Sequence, residues 1–201
     1  MRCALAFLSA ILLLAMPGSA AGQVKNLGDL AHHNFEAAFP GGGHLDLHIR
    51  SGEIHIVGSD EDKIIVRVSG KRGSESTDIN GRFERTGDLG KLRVTGGPSN
   101  DVTITVQVPK NSNLIVRVFA GDLDVTGISG DKDIKLGAGD LTIGVGPAAD
   151  YAQVSASVST GDINAGPFGE SQGGLFRSFA KTGPGRYKLV AHVGAGDLML
   201  Q

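Results

Sequence analysis

The chain has 201 residues, 31 of them Gly and 5% aromatic, with no Trp and a single Cys. A formal charge of −2 offers no basic excess to grip a phosphate backbone, which argues against a nucleic-acid partner. Glycine at about twice its usual share, scattered among β-branched residues, fits neither a collagen repeat nor a disordered linker and punctuates something regular.

The first segment has a short positive end at Arg2 and an apolar run over residues 4–16 broken only by Ser9. Pro17, Gly18, Ser19, Ala20 and Ala21 then supply small residues for cleavage, so residues 1–21 are predicted to be the signal peptide of an exported protein. The run is shorter than the ~20 apolar residues of a membrane span. No stable span is expected once it is removed. Cys3 lies inside the leader, so the exported part is expected to be cysteine-free and held by burial and backbone hydrogen bonds, which favours a repetitive sheet. Residues 22–34 are expected to be a flexible lead-in and residues 35–201 a single β-repeat domain.

Within that domain a small residue, a Gly, an acid and a Leu or Ile recur five times: Ser51-Gly52-Glu53-Ile54, Ala120-Gly121-Asp122-Leu123, Ala138-Gly139-Asp140-Leu141, Thr160-Gly161-Asp162-Ile163 and Ala195-Gly196-Asp197-Leu198. Counted from each glycine, positions −5, −3, +2 and +4 are apolar in every copy. They are Leu47, Ile49, Ile54 and Ile56 in the first, Val116, Val118, Leu123 and Val125 in the second, and Ile134, Leu136, Leu141 and Ile143 in the third. The fourth has Ala156, Val158, Ile163 and Ala165, and the fifth Ala191, Val193, Leu198 and Leu200. Position −7 is also apolar in four copies, as Leu45, Leu114, Val154 and Leu189.

Alternation of period two marks strands with one buried face. Because −3 and +2 both point inward, the pleat must flip at the glycine. Gly52, Gly121, Gly139, Gly161 and Gly196 are therefore predicted structural turns, where positive φ is tolerated without a Cβ clash. These glycines lie 69, 18, 22 and 35 residues apart. The middle spacings match one coil of a β-solenoid, although an antiparallel meander or sandwich of short strands returns to one edge at a similar spacing.

Further alternation at residues 63–69, 91–95 and 101–108 predicts additional strands, with the polar residues 71–90 as a surface loop. Stacked repeats leave end strands that must be covered. Residues 35–39, with Phe35 and Phe39, are expected over one end, and a loop at residues 166–185, with Phe168, Phe176 and Phe179, over the other.

Residues 102–125, running through Val106, Pro109, Leu114 and Val118 into Gly121-Asp122-Leu123-Asp124-Val125, resemble the bacterial putative-adhesin domains of unknown function. These are relatives of auto-transporter adhesin head domains built from Gly-Asp-Ile/Val repeats. The closing residues 183–200, around Tyr187 and Gly196-Asp197-Leu198, are similar to their C-terminal repeat. The resemblance covers most of residues 35–201 and implies a right-handed, β-helix-like β-solenoid of exported proteins. Phe179-Ala180-Lys181-Thr182-Gly183 departs from the pattern of many members. The fold expectation is thus all-β, a right-handed β-solenoid of Gly-Asp-Leu/Ile repeats, with an antiparallel meander or sandwich as the alternative.

If the corners stack, Glu53, Asp122, Asp140, Asp162 and Asp197 form a column of carboxylates. Two such charges ~5 Å apart repel by about 0.8 kcal/mol in water. The expected relief is an Asx-like cap on the N–H groups of each acid's own turn. Calcium along the column is the competing reading, since hard oxygen ligands suit it, but the calcium-binding β-roll has a nonapeptide period that is absent here.

A hairpin tipped by Ser51 and Gly52 would pair His48 with His55 on the face that carries His44 and Asp46, a weak zinc or copper candidate against a plain solvated face. The metal candidates are therefore His48, His55, Asp122 and Asp140. The balance is for no metal and no cofactor.

Catalytic signatures are missing: there is no Gly-x-Ser-x-Gly elbow, no His-Glu-x-x-His and no phosphate-binding loop. Gly137-Ala138-Gly139 and Gly194-Ala195-Gly196 are explained better by the repeat than by a dinucleotide loop. The sequence thus reads as a non-catalytic structural or adhesive protein, exported to the periplasm or cell surface. Its expected partner is an unidentified envelope or extracellular protein or glycan. The alternatives are a polysaccharide-lyase-like, carbohydrate-active enzyme on the same scaffold and an envelope-stress accessory protein.

Overall fold

A computed structural model describes residues 22–30, 34–70, 79–96 and 102–201. The predicted signal peptide lies outside the described residues, as do residues 31–33 of the lead-in. In each of the five copies a strand runs into a glycine corner and out along a second strand: β3 (His44–Ser51) into β4 (Glu53–Ser59), β9 (Asn113–Ala120) into β10 (Leu123–Thr126), and β11 (Lys132–Ala138) into β12 (Leu141–Ile143). The fourth copy is the bent strand β13 (Tyr151–Ala165), and the fifth is β15 (Tyr187–Ala195) into β16 (Leu198–Leu200).

The copies pair in parallel, not as an antiparallel meander. Before the corner the order is β3-β9-β11-β15-β13, and after it β4-β10-β12-β16-β13. Register follows the glycine alignment: Leu47 lies beside Val116, then Ile134, Ala191 and Ala156, while Ile54 lies beside Leu123, then Leu141, Leu198 and Ile163. All twenty aligned apolar side chains are 5% exposed or less and join one core. Each Leu, Ile or Val so buried contributes about 1.5–3 kcal/mol.

Two constraints make the corners glycine. φ is +134° at Gly52, +117° at Gly121, +121° at Gly139, +134° at Gly161 and +128° at Gly196. In addition, a Cβ at Gly139 would lie 2.0 Å from the carbonyl oxygen of Gly121, and one at Gly196 would lie 2.1 Å from that of Gly139. The corners are stacked backbone on backbone, tied by Gly121 N–H to Ala138 O at 2.9 Å and Gly139 N–H to Ala195 O at 2.8 Å.

Antiparallel pairing is confined to the two ends of the parallel stack. At the first end β7 (Leu89–Thr95) pairs in parallel with β3, then antiparallel with β6 (Asn80–Thr86), which pairs antiparallel with β1 (Gln23–Asp29). On the other side of the corner β8 (Val102–Pro109) pairs in parallel with β4, and β5 (Lys63–Gly70) and β2 (Phe35–Ala38) follow antiparallel. Fifteen of the described strands form one hydrogen-bonded path around the core, with β1 and β2 at its edges, and one further strand pairs alongside β13 off that path. Phe35 and Phe39 are buried at this end, and the Phe35 ring lies 5.5 Å from that of Phe83.

Three expectations need correction. Residues 23–29, expected as flexible lead-in, form β1. Residues 80–90, expected within a loop, lie in β6, β7 and the turn between them, and the reason is legible at Gly81 and Gly90. Both face inward, where Leu27 and Leu30 cover Gly81 and Phe39 and Leu45 cover Gly90, so the alternation is carried by empty positions. Residues 170–182 are not a loop but strand β14 (Glu170–Thr182), antiparallel along the length of β13. Phe168 and Phe179 close that end, whereas Phe176 is 83% exposed and does not.

Position −7 of the third copy is Lys132, 2% exposed where the other copies carry aliphatic side chains. Its Nζ donates to Gly130 O and to the Tyr151 hydroxyl, both at 3.0 Å, and Tyr151 in turn donates to Val145 O at 3.1 Å. Burial pulls the Lys132 ammonium down to about 8. Burial, with Asp150 adding to it, pushes the Tyr151 hydroxyl up to about 12.

Candidate functional site

The corner acids are absorbed by the stack. Asp122 Oδ1 accepts the N–H of Asp140 at 3.2 Å, Asp140 Oδ1 that of Asp197 at 2.9 Å, and Asp197 Oδ1 that of Asp162 at 2.9 Å. Each caps the corner of the neighbouring copy and not its own turn, a correction that follows from parallel stacking, which brings the next backbone N–H within reach. Glu53 accepts from the Thr103 hydroxyl at 2.9 Å. Among the described residues no group of three or more His, Cys, Asp or Glu is placed to hold a metal ion.

His48 and His55 do not meet. The Gly52 corner sends β4 away from β3, so His48 pairs with Arg93 and Arg117, and His55 with Thr105 and Asp124. The expected hairpin is therefore replaced by a corner. His48 Nε2 lies 2.9 Å from Asp46 Oδ1, and His55 Nε2 lies 3.3 Å from Glu53 Oε1. Gly137 and Gly194 precede corners that lead into strands, with no helix to build a dinucleotide site.

The face outside β3, β7, β9, β11 and β15 carries a different arrangement. Because −5 and −3 point into the core, −4 points out, and parallel register aligns these positions from copy to copy. Arg82, Arg93, His48, Arg117, Lys135 and His192 are consecutive partners across six strands, followed by Ser157. With neighbouring strands about 4.8 Å apart, the row is about 24 Å long. Arg117 is anchored to Asp133, by 2.9 Å to its carboxylate and 2.8 Å to its carbonyl, and His192 Nδ1 lies 2.9 Å from Ser157 Oγ. Among the described residues Arg50, Arg93 and Lys135 have no ion-pair partner.

Next to this row lies a groove of about 550 Å³, lined by His48, Arg50, Arg93, Arg117, Lys135 and His192 together with Phe119, Gly137 and Gly194, and by no carboxylate among the described residues. Phe119 is 77% exposed. The backbone beside it is bare of necessity, because a Cβ at Gly137 or Gly194 would lie 2.3 Å from a neighbouring carbonyl oxygen. On the other flank the −6 positions mix charges: Lys91 Nζ lies 3.6 Å from Asp46, and Asp133 holds Arg117.

Of the sequence candidates only His48 belongs to this face. The glycine alignment contains the part of the row that lies in the repeats: read at −4, the five copies give His48, Arg117, Lys135, Ser157 and His192, whereas Arg82 and Arg93 lie outside the copies and join only through strand pairing.

No family model and no curated protein matches the chain. Among solved structures, a putative cell adhesion protein from Clostridium sporogenes is similar, with a TM-score of 0.48 and 13% identity over 84% of this chain and 99% of that one. A likeness of that size carries no functional weight, so the face itself must supply the reading.

Proposed function

We propose that this is an exported, non-catalytic adhesive or structural β-repeat protein of the putative-adhesin type, which holds one stiff sheet face toward an envelope or extracellular partner. The observation that carries the reading is the exposed Phe119 ring beside the unpartnered cations Arg93 and Lys135 on strands fixed by the core. Packing does not need a bare aromatic ring there, and contact with another molecule would bury it. The copies are read as turns of a right-handed solenoid, the hand taken by nearly all parallel crossovers. Among the described residues no helix is long and apolar enough to cross a membrane.

The test is retention of the purified exported chain by intact bacterial cells, with parallel assays for new reducing or unsaturated ends on polysaccharides. Saturable retention without turnover is expected. Turnover would replace this reading with the lyase-like one.

A further inference from the structure

We propose that the cationic row binds an extended acidic polysaccharide as a single thread; this rests on the adhesive reading above and names its partner. Six side chains, Arg82, Arg93, His48, Arg117, Lys135 and His192, follow one another across hydrogen-bonded strands. Arg82 and Arg93 are direct partners, as are Arg117 and Lys135, at a stride of about 4.8 Å. Arg82 is paired with Glu84 and Arg117 with Asp133, which leaves Arg93 and Lys135 without an ion-pair partner among the described residues. Packing does not require the charge, since Ser157 occupies the same outward position in the fourth copy. A chain of carboxylates laid across the strands supplies the anions that Arg93 and Lys135 lack, and that stride is comparable with the length of one sugar unit.

The charge pattern also selects the kind of polyanion. Acids lie along both margins of the row: Asp46 and Asp133 at −6, and the corner acids Asp122 and Asp140 at +1. A flat anionic membrane pressed on this face would also meet the carboxylates on both sides of the row, whereas one thread lies between them. A nucleic-acid duplex, with phosphates on two strands, likewise reaches beyond a single row. Phe119 adds a flat apolar surface that lines the same groove as the cations and the side-chain-free Gly137 and Gly194, which suits the C–H face of a sugar ring.

The experiment titrates the exported chain with polygalacturonate, neutral dextran, phosphatidylglycerol vesicles and oligo-dT. Binding to polygalacturonate that weakens as salt is raised is expected, with none to dextran. The double variant Arg93→Ala/Lys135→Ala should raise Kd about tenfold or more with its melting temperature unchanged. Lys110→Ala/Lys188→Ala, which removes exposed cations off the row, should leave Kd alone. Phe119→Ala should weaken binding several-fold.

Failure to bind polygalacturonate, indifference to the Arg93/Lys135 pair, or preference for vesicles or oligo-dT overturns the proposal. Cell retention persisting through such a failure would leave the adhesive reading standing. Polygalacturonate bound at the row but cleaved would do the reverse.

Discussion

Lys132 and Tyr151 share a hydrogen bond of 3.0 Å inside the core, at a position where four of the five copies place an aliphatic side chain. Below about pH 8 the ammonium is charged in both folded and unfolded chains and its burial penalty is fully present. Between about 8 and 10.5 the unfolded chain keeps the proton that the folded chain has lost, so stability rises with pH, by up to about 3 kcal/mol. Tyr151 acts in the opposite sense higher up: its hydroxyl stabilises below its ordinary value of 10.0, and that contribution is lost as pH climbs through about 12. Urea midpoints should therefore rise from pH 8 to about 10 in the native chain. Lys132→Leu should be flat there and more stable at pH 7; the same rise in that variant would remove Lys132 as its source.

Gly139→Ala meets both a φ of +121° and the Gly121 carbonyl oxygen 2.0 Å from the new Cβ. The expected loss is on the order of 3 kcal/mol or more. Gly146 also has positive φ, +66°, but a methyl group placed there would meet no atom within 4 Å, so Gly146→Ala should cost only about 1 kcal/mol. Equal losses at the two sites, measured by chemical denaturation, would show that the corners are not packed backbone on backbone.

Removing a corner carboxylate separates its charge from its hydrogen bond. Asp140→Asn keeps an oxygen for the Asp197 N–H and eases repulsion along the column, so it should be neutral or slightly stabilising. Asp140→Ala leaves that N–H without its acceptor and should cost about 1 kcal/mol. If Asn proves as harmful as Ala, the charge matters more than the cap.

At the far end, Phe179 is 8% exposed with its ring 6.3 Å from that of Phe168. Phe179→Ala should cost about 3 kcal/mol and speed proteolysis of β14. Phe176→Ala, at an 83% exposed position, should stay within about 0.5 kcal/mol. Thermal melts of the two variants check the assignment.

The core positions and corners are legible in the sequence because they are periodic: one aliphatic pattern is written five times around one glycine. Strands β1, β6 and β14 are not, for different reasons. Gly81 hides the inward side of β6 behind Leu27 and Leu30, and β14 pairs along an edge with only Phe179 buried among its thirteen residues. Stack order is also hidden, because the fifth copy enters between the third and fourth and no local rule records that choice. The candidate face is legible only after alignment, since Arg117 and Lys135 are ordinary polar residues within their own strands and become a row through register.

That order gives the most direct measurement. The part of the chain beyond the predicted leader has no cysteine, so pairs can be introduced cleanly. Asp133 and Val190 are direct partners, whereas Asp133 and Ser155 are separated by the intervening β15. Under mild oxidation Asp133→Cys/Val190→Cys should form an intramolecular disulfide in high yield, while Asp133→Cys/Ser155→Cys should stay reduced, because bridged Cα atoms lie within about 7 Å. The reverse pattern, or failure of the first pair to close, would contradict the stack on which the cationic row depends.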